Sequence, residues 1–532
     1  MSKEKKRSFS EENSGRREAL KALATIPVLG LFLVNLWEKY RRDKIKKSNI
    51  LKDFVAERKV PNVITNISNN RHLNIGIIGY GGRGGHLVRG AGFATKGWID
   101  YATKAHNENK LHKALATFMS QEDLNCSLLG VCDLFDVNLE LAIDASKNEI
   151  RPGGKPKNIA KKYKDYRDLL ADENIDAVIV ATPDHWHSRI VIDAAKAGKH
   201  VYCEKGLTRT FDEAVAVYDT VKNTGITFQL GHQNRQVEAN EQARQIVEQG
   251  LLGPVNLVEL TTNRNSSWGA WVWNIHEKAN EKTIDWDMFQ KPAPNKIPFG
   301  EEALKRFFRW RCWYDYGTGL SGDLLSHDFD TINQIMNIGI PKYASSTGGI
   351  YFYKDGRDVP DVWNATFEYP DKDLTLLYSA TLSSNSPRGN RIMGHDATMI
   401  MGGQSGGGSI HGFRVTADNE STKYRDRIKD GIINTKYPMY SYSPGSKQID
   451  GVTSATSQYF ASKGLLYTYR DGKRVDPTHL HIKDWLDSIR SGGTPSCNIE
   501  VAFHEAVACH MATESYLQGR RIEWDPINRK LI

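Results

Sequence analysis

Cysteine is scarce. The 532 residues hold six, Cys126, Cys132, Cys203, Cys312, Cys497 and Cys509, with no C-x-x-C pair and no zinc-ligand spacing among them. That excludes a disulfide scaffold and a zinc-finger-like module, and leaves isolated buried thiols as the expectation. Histidine pairs two residues apart, His185 with His187 and His479 with His481, lack an evident third ligand, so no metal site is expected. The glycine-rich stretch from Gly402 to Gly408 has no G-K-[ST] ending, which excludes a P-loop and reads as a turn between sheet strands. An excess of basic over acidic charge is missing from most of the chain. Lys3, Lys5, Lys6, Arg7, Arg16, Arg17, Lys21 and the run Lys39 to Lys47 put nearly all of the formal +8 into the first fifty residues. The remainder is close to neutral, which argues against a nucleic-acid-binding surface.

The apolar stretch Ala22 to Trp37 spans 16 residues and is interrupted by Thr25, Pro27 and Asn35, short of the roughly 20 that a membrane-spanning helix requires. It follows Ser14-Gly-Arg16-Arg17-Glu-Ala19-Leu-Lys21, which resembles a twin-arginine export signal. The expectation is the periplasm or the periplasmic face of the inner membrane. Ala19 stands where a bulky apolar residue is usual, no A-x-A site follows, and the basic run after the apolar stretch opposes translocation. An uncleaved membrane anchor and a basic amphipathic helix of a cytoplasmic protein therefore stay open beside a cleaved signal. Residues 1–70 are taken as this leader plus an Asn-rich linker.

With 39% hydrophobic and 25% charged residues, the remaining chain is a folded body long enough for two domains. Leu73 to Gly79 is a short, nearly continuous apolar run, the pattern of a buried parallel strand. It leads into Gly79-Tyr-Gly81-Gly82-Arg83-Gly84, a G-x-G-x-x-G between a strand and a helix start. In that context Gly79 permits a tight turn, Gly81 lets a pyrophosphate approach the backbone, and Gly84 lets helix and strand pack closely. The pyrophosphate would rest on free N–H groups at the helix N-terminus. Asp133 ends the next strand, Leu128 to Cys132, where a carboxylate accepts ribose hydroxyls and repels a 2′-phosphate, favouring NAD over NADP. It lies 49 residues beyond Gly84 rather than the usual roughly 20, so residues 94–126 read as a polar, helical insertion. Strands Ile175 to Ala181 and His200 to Cys203 follow, ending in Thr182-Pro183-Asp-His185-Trp-His187 and Glu204-Lys205-Gly206. Gly79, Asp133, Thr182 and Lys205 thus share the carboxyl edge of one doubly wound α/β sheet, where such folds bind ligands.

These segments resemble the Gfo/Idh/MocA oxidoreductases, the family of glucose-fructose oxidoreductase and inositol dehydrogenase. That family carries an E-K-P turn whose lysine serves cofactor and substrate; here it reads Glu204-Lys205-Gly206, without the proline. The Thr182 to His187 loop is similar to the family's cofactor loop, and Gly231-His232-Gln-Asn-Arg235 to its sugar-acting branch. A D-x-x-x-H signature follows a glycine-rich turn at Asp323 and His327. The resemblance spans about 72–530. It implies a Rossmann domain over 71–207 and an α/β substrate domain over 208–532 with a large, open, mainly antiparallel sheet. The final helices, about 480–520, would pack back on the first domain, and the open sheet would form a homo-oligomer.

On this reading NAD is held by Gly79, Gly81, Gly82, Arg83, Gly84, Asp133, Thr182, Pro183, His185, His187, Glu204 and Lys205. Positions i and i+4 share a helix face, so Asp323 and His327 point at one site. His327 serves as general base, Asp323 orients it or binds a hydroxyl, and Lys205 polarises the oxygen. Substrate falls to His232, Arg235, Trp310, Tyr314, Asp323 and His327. A cluster of Trp268, Trp271, Trp273, Trp310, Trp313, Tyr314 and Tyr316 offers faces for pyranose C–H groups, with Arg309, Arg311 and Asp315 as polar partners. The expected activity is NAD-dependent oxidation of a ring hydroxyl of a sugar, glycoside or cyclitol. Two competing readings stay open. One is a redox-elimination glycoside hydrolase resembling the family's α-N-acetylgalactosaminidases, which recycles a tightly bound cofactor. The other is a non-catalytic NAD-linked sugar sensor.

Overall fold

Short apolar runs alternate with helices in the first half of the chain, and burial on both faces makes them parallel strands. The computed structural model describes residues 70–110, 112–147, 158–386, 388–402, 412–442, 468–470 and 473–532. Residues 1–69 of the leader and linker, and all but the first residue of the Gly402–Gly408 stretch, lie outside the described residues. Strands β1 (Leu73–Ile78), β2 (Cys126–Cys132), β3 (Lys161–Tyr163), β4 (Ala177–Val180), β5 (His200–Cys203) and β6 (Phe228–Leu230) form a parallel sheet in the order β3-β2-β1-β4-β5-β6. The order reverses between β1 and β4, and that crevice is where doubly wound sheets bind dinucleotides. Strand β6 pairs with β5, so the parallel sheet runs past residue 207. A division at 207 would separate a strand from the sheet that completes its hydrogen bonds.

The long interval before Asp133 holds two helices, Lys96–Glu108 and Ala114–Met119. Thr95 caps the first by accepting from the Trp98 N–H, and Ala94, Ile99 and Phe118 form a small core of their own. The insertion therefore lengthens the path between strands without disturbing the sheet.

The second sheet is mixed. Strands β7 (Val255–Asn263), β8 (Tyr343–Gly349), β9 (Val362–Tyr369), β10 (Leu374–Thr381), β11 (Asn390–Gly394), β12 (Ala397–Met401), β13 (Phe413–Ala417) and β14 (Tyr440–Tyr442) join two C-terminal strands. A separate hairpin comprises β15 (Thr468–Arg470) and β16 (Lys473–Val475). With β17 (Ile522–Asp525) and β18 (Lys530–Leu531), the ten-stranded order is β14-β13-β12-β11-β7-β10-β9-β8-β17-β18. Its pairs are antiparallel except β7 with β10, which run parallel. Residues along β10 alternate between buried and half-buried, so one face is well covered.

The helices that position the site are α1 (Gly82–Gly90), α2 (Asp184–Lys196), α3 (Ser326–Met336), α4 (Pro477–Ser491) and α5 (Ile499–Gln518). Helix α4 returns to the parallel sheet, burying Ile482, Trp485 and Leu486 with Leu73, Leu87 and Tyr202. Helix α5 ties several elements together: Tyr218 donates to Glu500, Thr513 pairs with Ser321, and Ser515 accepts from the Ser346 N–H. All six cysteines are free and buried. No helix among the described residues is long and apolar enough to cross a membrane.

Burial also keeps several histidines neutral. It pushes His185 and His510 down to about 3, although His185 hydrogen-bonds the Phe289 carbonyl and His510 faces the Thr208 hydroxyl. In the unfolded chain both titrate near 6.5, so the unfolded state binds more protons from there down to the folded value. Stability is therefore expected to fall as pH drops from 7 to 5, by about 2 kcal/mol for each of these histidines at pH 5. Urea midpoints at the two pH values check this, and an unchanged midpoint would contradict it.

Candidate active site

A cavity of about 730 Å³ opens at the carboxyl ends of the parallel strands and extends to residues at the end of β7 and the start of α3. Gly79 follows β1 with φ +89°, and an added Cβ there would lie 2.7 Å from the Ala181 carbonyl oxygen. A Cβ on Gly84 would collide with the Gly79 oxygen, whereas Gly81 and Gly82 face open space. The turn is thus closed by two obligatory glycines and left bare on its cavity side. Helix α1 begins there with Gly81 at its N-cap and no side chain capping it, so its first N–H groups are presented to an anion. Arg83 Nη2 is buried without a hydrogen-bond partner among the described residues, while its Nε donates to Glu204 Oε1 at 2.8 Å. Burial opposes charge on Arg83, but Glu204 and other neighbours outweigh it and raise the pKa. Bare glycines, an uncapped helix start and an unsatisfied guanidinium nitrogen fit a dinucleotide pyrophosphate.

Asp133 borders the same cavity. Its carboxylate accepts from the Tyr80 N–H at 2.6 Å and the Phe135 N–H at 2.9 Å, which fix its position at the end of β2. Burial raises its pKa against those bonds.

At the other end Asp323 organises the wall. Lys205 Nζ donates to Asp323 Oδ1 and to its carbonyl oxygen, both at 2.6 Å. Arg311 Nε donates to Oδ1 at 2.7 Å, and Trp271 Nε1 to Oδ2 at 2.9 Å. Burial alone would raise the Asp323 pKa, but Arg311, Lys205 and Arg264 hold it well below the usual carboxylate range. Residues Ser321–Leu325 form a π-helical turn rather than α-helix, and Gly322 has no room for a Cβ, which would overlap the Thr318 hydroxyl. The wider turn precedes α3, so Asp323 and His327 both border the cavity without the plain i, i+4 relation of an α-helix. His327 is half-buried at the cavity wall. Burial first, then Lys205 and His232, keep its pKa well below the ordinary histidine value, so it is a neutral imidazole at pH 7.

Thr182, Pro183, Glu204 and Trp310, expected at the site from the sequence, line the cavity with the groups above. Others stand outside it. Gly84 supports the turn from behind. Helix α2 starts at Asp184, so His185 and His187 lie in its first turn, not in a cofactor loop, and are buried. His185 packs on Phe289 and Tyr316, and His187 contacts the Gly206 and Thr182 carbonyls at 2.7 and 2.8 Å, lacing two loops together. Arg235 is a structural clamp, with Nη2 2.6 Å from Asp330 and Nη1 donating to the Ser496 carbonyl. His232 lies behind His327, with 3.4 Å between their Nδ1 atoms. Tyr314 packs on Gly319 and is not part of the cavity lining.

Of the aromatic cluster, Trp268, Trp271, Trp273 and Trp310 line the cavity, and the Arg311 guanidinium lies 4.1 Å from the Trp310 ring centre. Trp271 holds a left-handed φ of 63°, a costly conformation for a bulky residue, and its bond to Asp323 is formed from there. Arg309 and Asp315 are committed elsewhere, to the Trp273 carbonyl and to Arg306. Arg264, unassigned from the sequence, lines the cavity just past the end of β7. Its one signal along the chain is a lone cation closing an alternating strand. Among the described residues no group of three His, Cys, Asp or Glu is placed to hold a metal ion.

Residues 73–232 match the family described as "Oxidoreductase family, NAD-binding Rossmann fold" (GFO_IDH_MocA). The chain is 26% identical over 224 residues to the levoglucosan dehydrogenase of Pseudarthrobacter phenanthrenivorans, a match covering 40% of this chain and 47% of that protein. It thus spans about half the length of that relative. It is 33% identical over 287 residues to an uncharacterised oxidoreductase of Streptococcus pneumoniae serotype 4, covering 52% of this chain and 68% of the relative. A solved levoglucosan dehydrogenase in complex with NADH and levoglucosan superposes with a TM-score of 0.52 at 17% identity, over 85% of this chain and 99% of that one. That last likeness is one of fold.

Gly84→Ala is expected to push the Gly79 carbonyl out of the turn and weaken NAD binding roughly tenfold or more, since overpacking of this kind costs on the order of 1–3 kcal/mol. Calorimetric titration of the purified protein with NAD measures it; an unaltered affinity would show that the turn does not carry the cofactor.

Proposed function

The chain belongs to the Gfo/Idh/MocA family of NAD-binding oxidoreductases, and from that premise we propose that it oxidises a ring hydroxyl of a sugar, glycoside or cyclitol. The observation that carries this reading is the meeting, in one cavity, of the glycine turn at Gly79–Gly84 with Lys205, Asp323 and His327 beside tryptophan side chains. Bound NAD supplies the hydride acceptor. Gly81, Gly82 and the N-terminus of α1 would hold its pyrophosphate, and Asp133 its ribose hydroxyls. A carboxylate at that place disfavours a 2′-phosphate, which supports NAD over NADP.

The side chains then divide the proton chemistry. His327, neutral and half-buried at the cavity wall, accepts the hydroxyl proton as the C–H bond is broken. Lys205 donates a hydrogen bond to the same oxygen and stabilises negative charge on it. Asp323, with Arg311, Lys205 and Arg264 around it, stays ionised and holds Lys205 in place. Trp271, Trp273 and Trp310 supply flat apolar faces matched to the C–H faces of a pyranose, and their N–H edges suit hydroxyls. The levoglucosan dehydrogenase among the relatives supports an anhydro sugar or glycoside as the substrate class. The twin-arginine-like leader supports export to the periplasm, where a cofactor that stays bound is an advantage, and the open second sheet supports a homo-oligomer.

Protein purified without added cofactor is expected to release NAD(H) on denaturation and to convert members of a glycoside panel to products two mass units lighter. Free sugar plus aglycone with no net cofactor change would instead assign redox-assisted hydrolysis, and failure to bind NAD at all would overturn the proposal. Lys205→Met should lower kcat by roughly 10²- to 10⁴-fold with NAD affinity retained. Asp323 keeps Arg311 and Trp271 as partners in that variant, so the fold survives. Steady-state kinetics with direct NAD titration checks both halves.

A further inference from the structure

Behind His327 lies a buried polar chain that the reaction as described leaves unused. His232 Nδ1 is 3.4 Å from His327 Nδ1, and on the far side His232 Nε2 is 3.6 Å from Glu505 Oε2 on α5. His232 and Glu505 are each 1% exposed, and neither of these two facing atoms has a hydrogen-bond partner among the described residues. The other carboxylate oxygen, Oε1, is 3.1 Å from Cys509 Sγ. Burial and then Glu505 push the Cys509 thiol well up, so it stays an S–H donor and orients the carboxylate with Oε2 toward His232.

We propose that Glu505 is a positioning residue that, through His232, sets the ring tautomer of His327. The inference rests on the reading of His327 as the base. A carboxylate facing His232 Nε2 draws the ring proton of His232 to that nitrogen. His232 Nδ1 is then a lone pair and accepts the proton of His327 Nδ1. The remaining nitrogen of His327, Nε2, is left unprotonated and free to take the substrate proton. The opposite arrangement turns the lone pair of His232 Nε2 toward the carboxylate and leaves a buried anion facing another acceptor, which costs free energy in a low-dielectric interior.

The same chain serves the step itself. When the substrate O–H bond breaks, its proton joins His327 Nε2, and the hydride leaves separately to the cofactor. The imidazolium so formed already donates Nδ1–H to His232, whose Nε2–H faces the Glu505 carboxylate. The new positive charge therefore sits one ring away from a buried anion, much as a carboxylate supports the histidine of a hydrolase triad. Other charged or titratable groups face these rings. Lys205, Asp323 and Arg83 act on His327; His481 on α4 lies near His232 and Arg235. Arg235 is spent on Asp330, and burial keeps His481 neutral, so Glu505 is the anion that acts on His232.

Two independent measurements test this. In the NAD-loaded wild-type enzyme labelled with ¹⁵N-histidine, the resonances lost in His327→Gln identify His327, and its Nδ1 is expected to be protonated with Nε2 free. Protonated Nε2 would overturn the proposal whether or not hydride transfer is detected, so this measurement is separate from the assigned activity. Glu505→Gln is expected to lower kcat on the order of 10- to 100-fold with KM changed less than about twofold. It should also move the acid limb of the kcat–pH profile to lower pH, because the His327 imidazolium loses its anion. Glu505→Asp should recover part of the rate. A Glu505→Gln enzyme with wild-type kcat and pH profile would equally overturn the proposal, and if that variant does not fold, the wild-type tautomer decides alone.

Discussion

The carboxylate of Asp323 is the joint on which the reactive end of the molecule depends. It takes Lys205 from the turn after the fifth parallel strand, Arg311 from the aromatic segment and Trp271 from the loop beyond the first strand of the second sheet. Three separate stretches of chain meet on its two oxygens. A buried ion pair stabilises little in net terms, because desolvation offsets attraction, but breaking one by removing a single partner is costly. What the arrangement secures is geometry: a lysine pinned beside a histidine, with tryptophans set around them.

That joint works because the two sheets share a core. One face of the parallel sheet, through Val178, Val180 and Cys203, belongs to the same apolar cluster as Phe367 and Leu376 of the mixed sheet. The dinucleotide turn on one side and the π-helical turn on the other are therefore held in register by packed side chains. Helix α5 buries Ala506, Val507 and Met511 in that cluster and carries Glu505 behind His232. The element that seals the core also places the Glu505 carboxylate one ring away from His327, so His232 and Glu505 are deeply buried.

Much of this was legible along the chain. The apolar run ending in Gly79, the glycine spacing and the acid at Asp133 identify a dinucleotide turn because each residue meets a local requirement: a φ of one sign, the absence of a Cβ, a carboxylate at a strand end. Lys205, Asp323 and His327 are legible for a related reason, that short motifs preserve local geometry. The residues that end up elsewhere are those whose role depends on which way a side chain turns after folding. His185 and His187 adjoin the cofactor loop in sequence, yet the first turn of α2 takes them both and turns them inward. Arg235 follows a motif residue and is consumed by Asp330.

By itself the sequence determined the parallel strands, the glycine turn, the inserted helices and the trio Lys205, Asp323 and His327 that lines the cavity, since period, composition and backbone restrictions act over a few residues. Only the tertiary structure decided what surrounds that trio. Arg264 past a strand end, Trp271 in a left-handed turn and Glu505 on the last long helix are brought to one place by packing, and no local spacing encodes their meeting. Charges and ring nitrogens acquire their chemistry from whichever groups the fold puts within a few ångströms, because hydrogen bonds and unscreened Coulomb interactions act at that range.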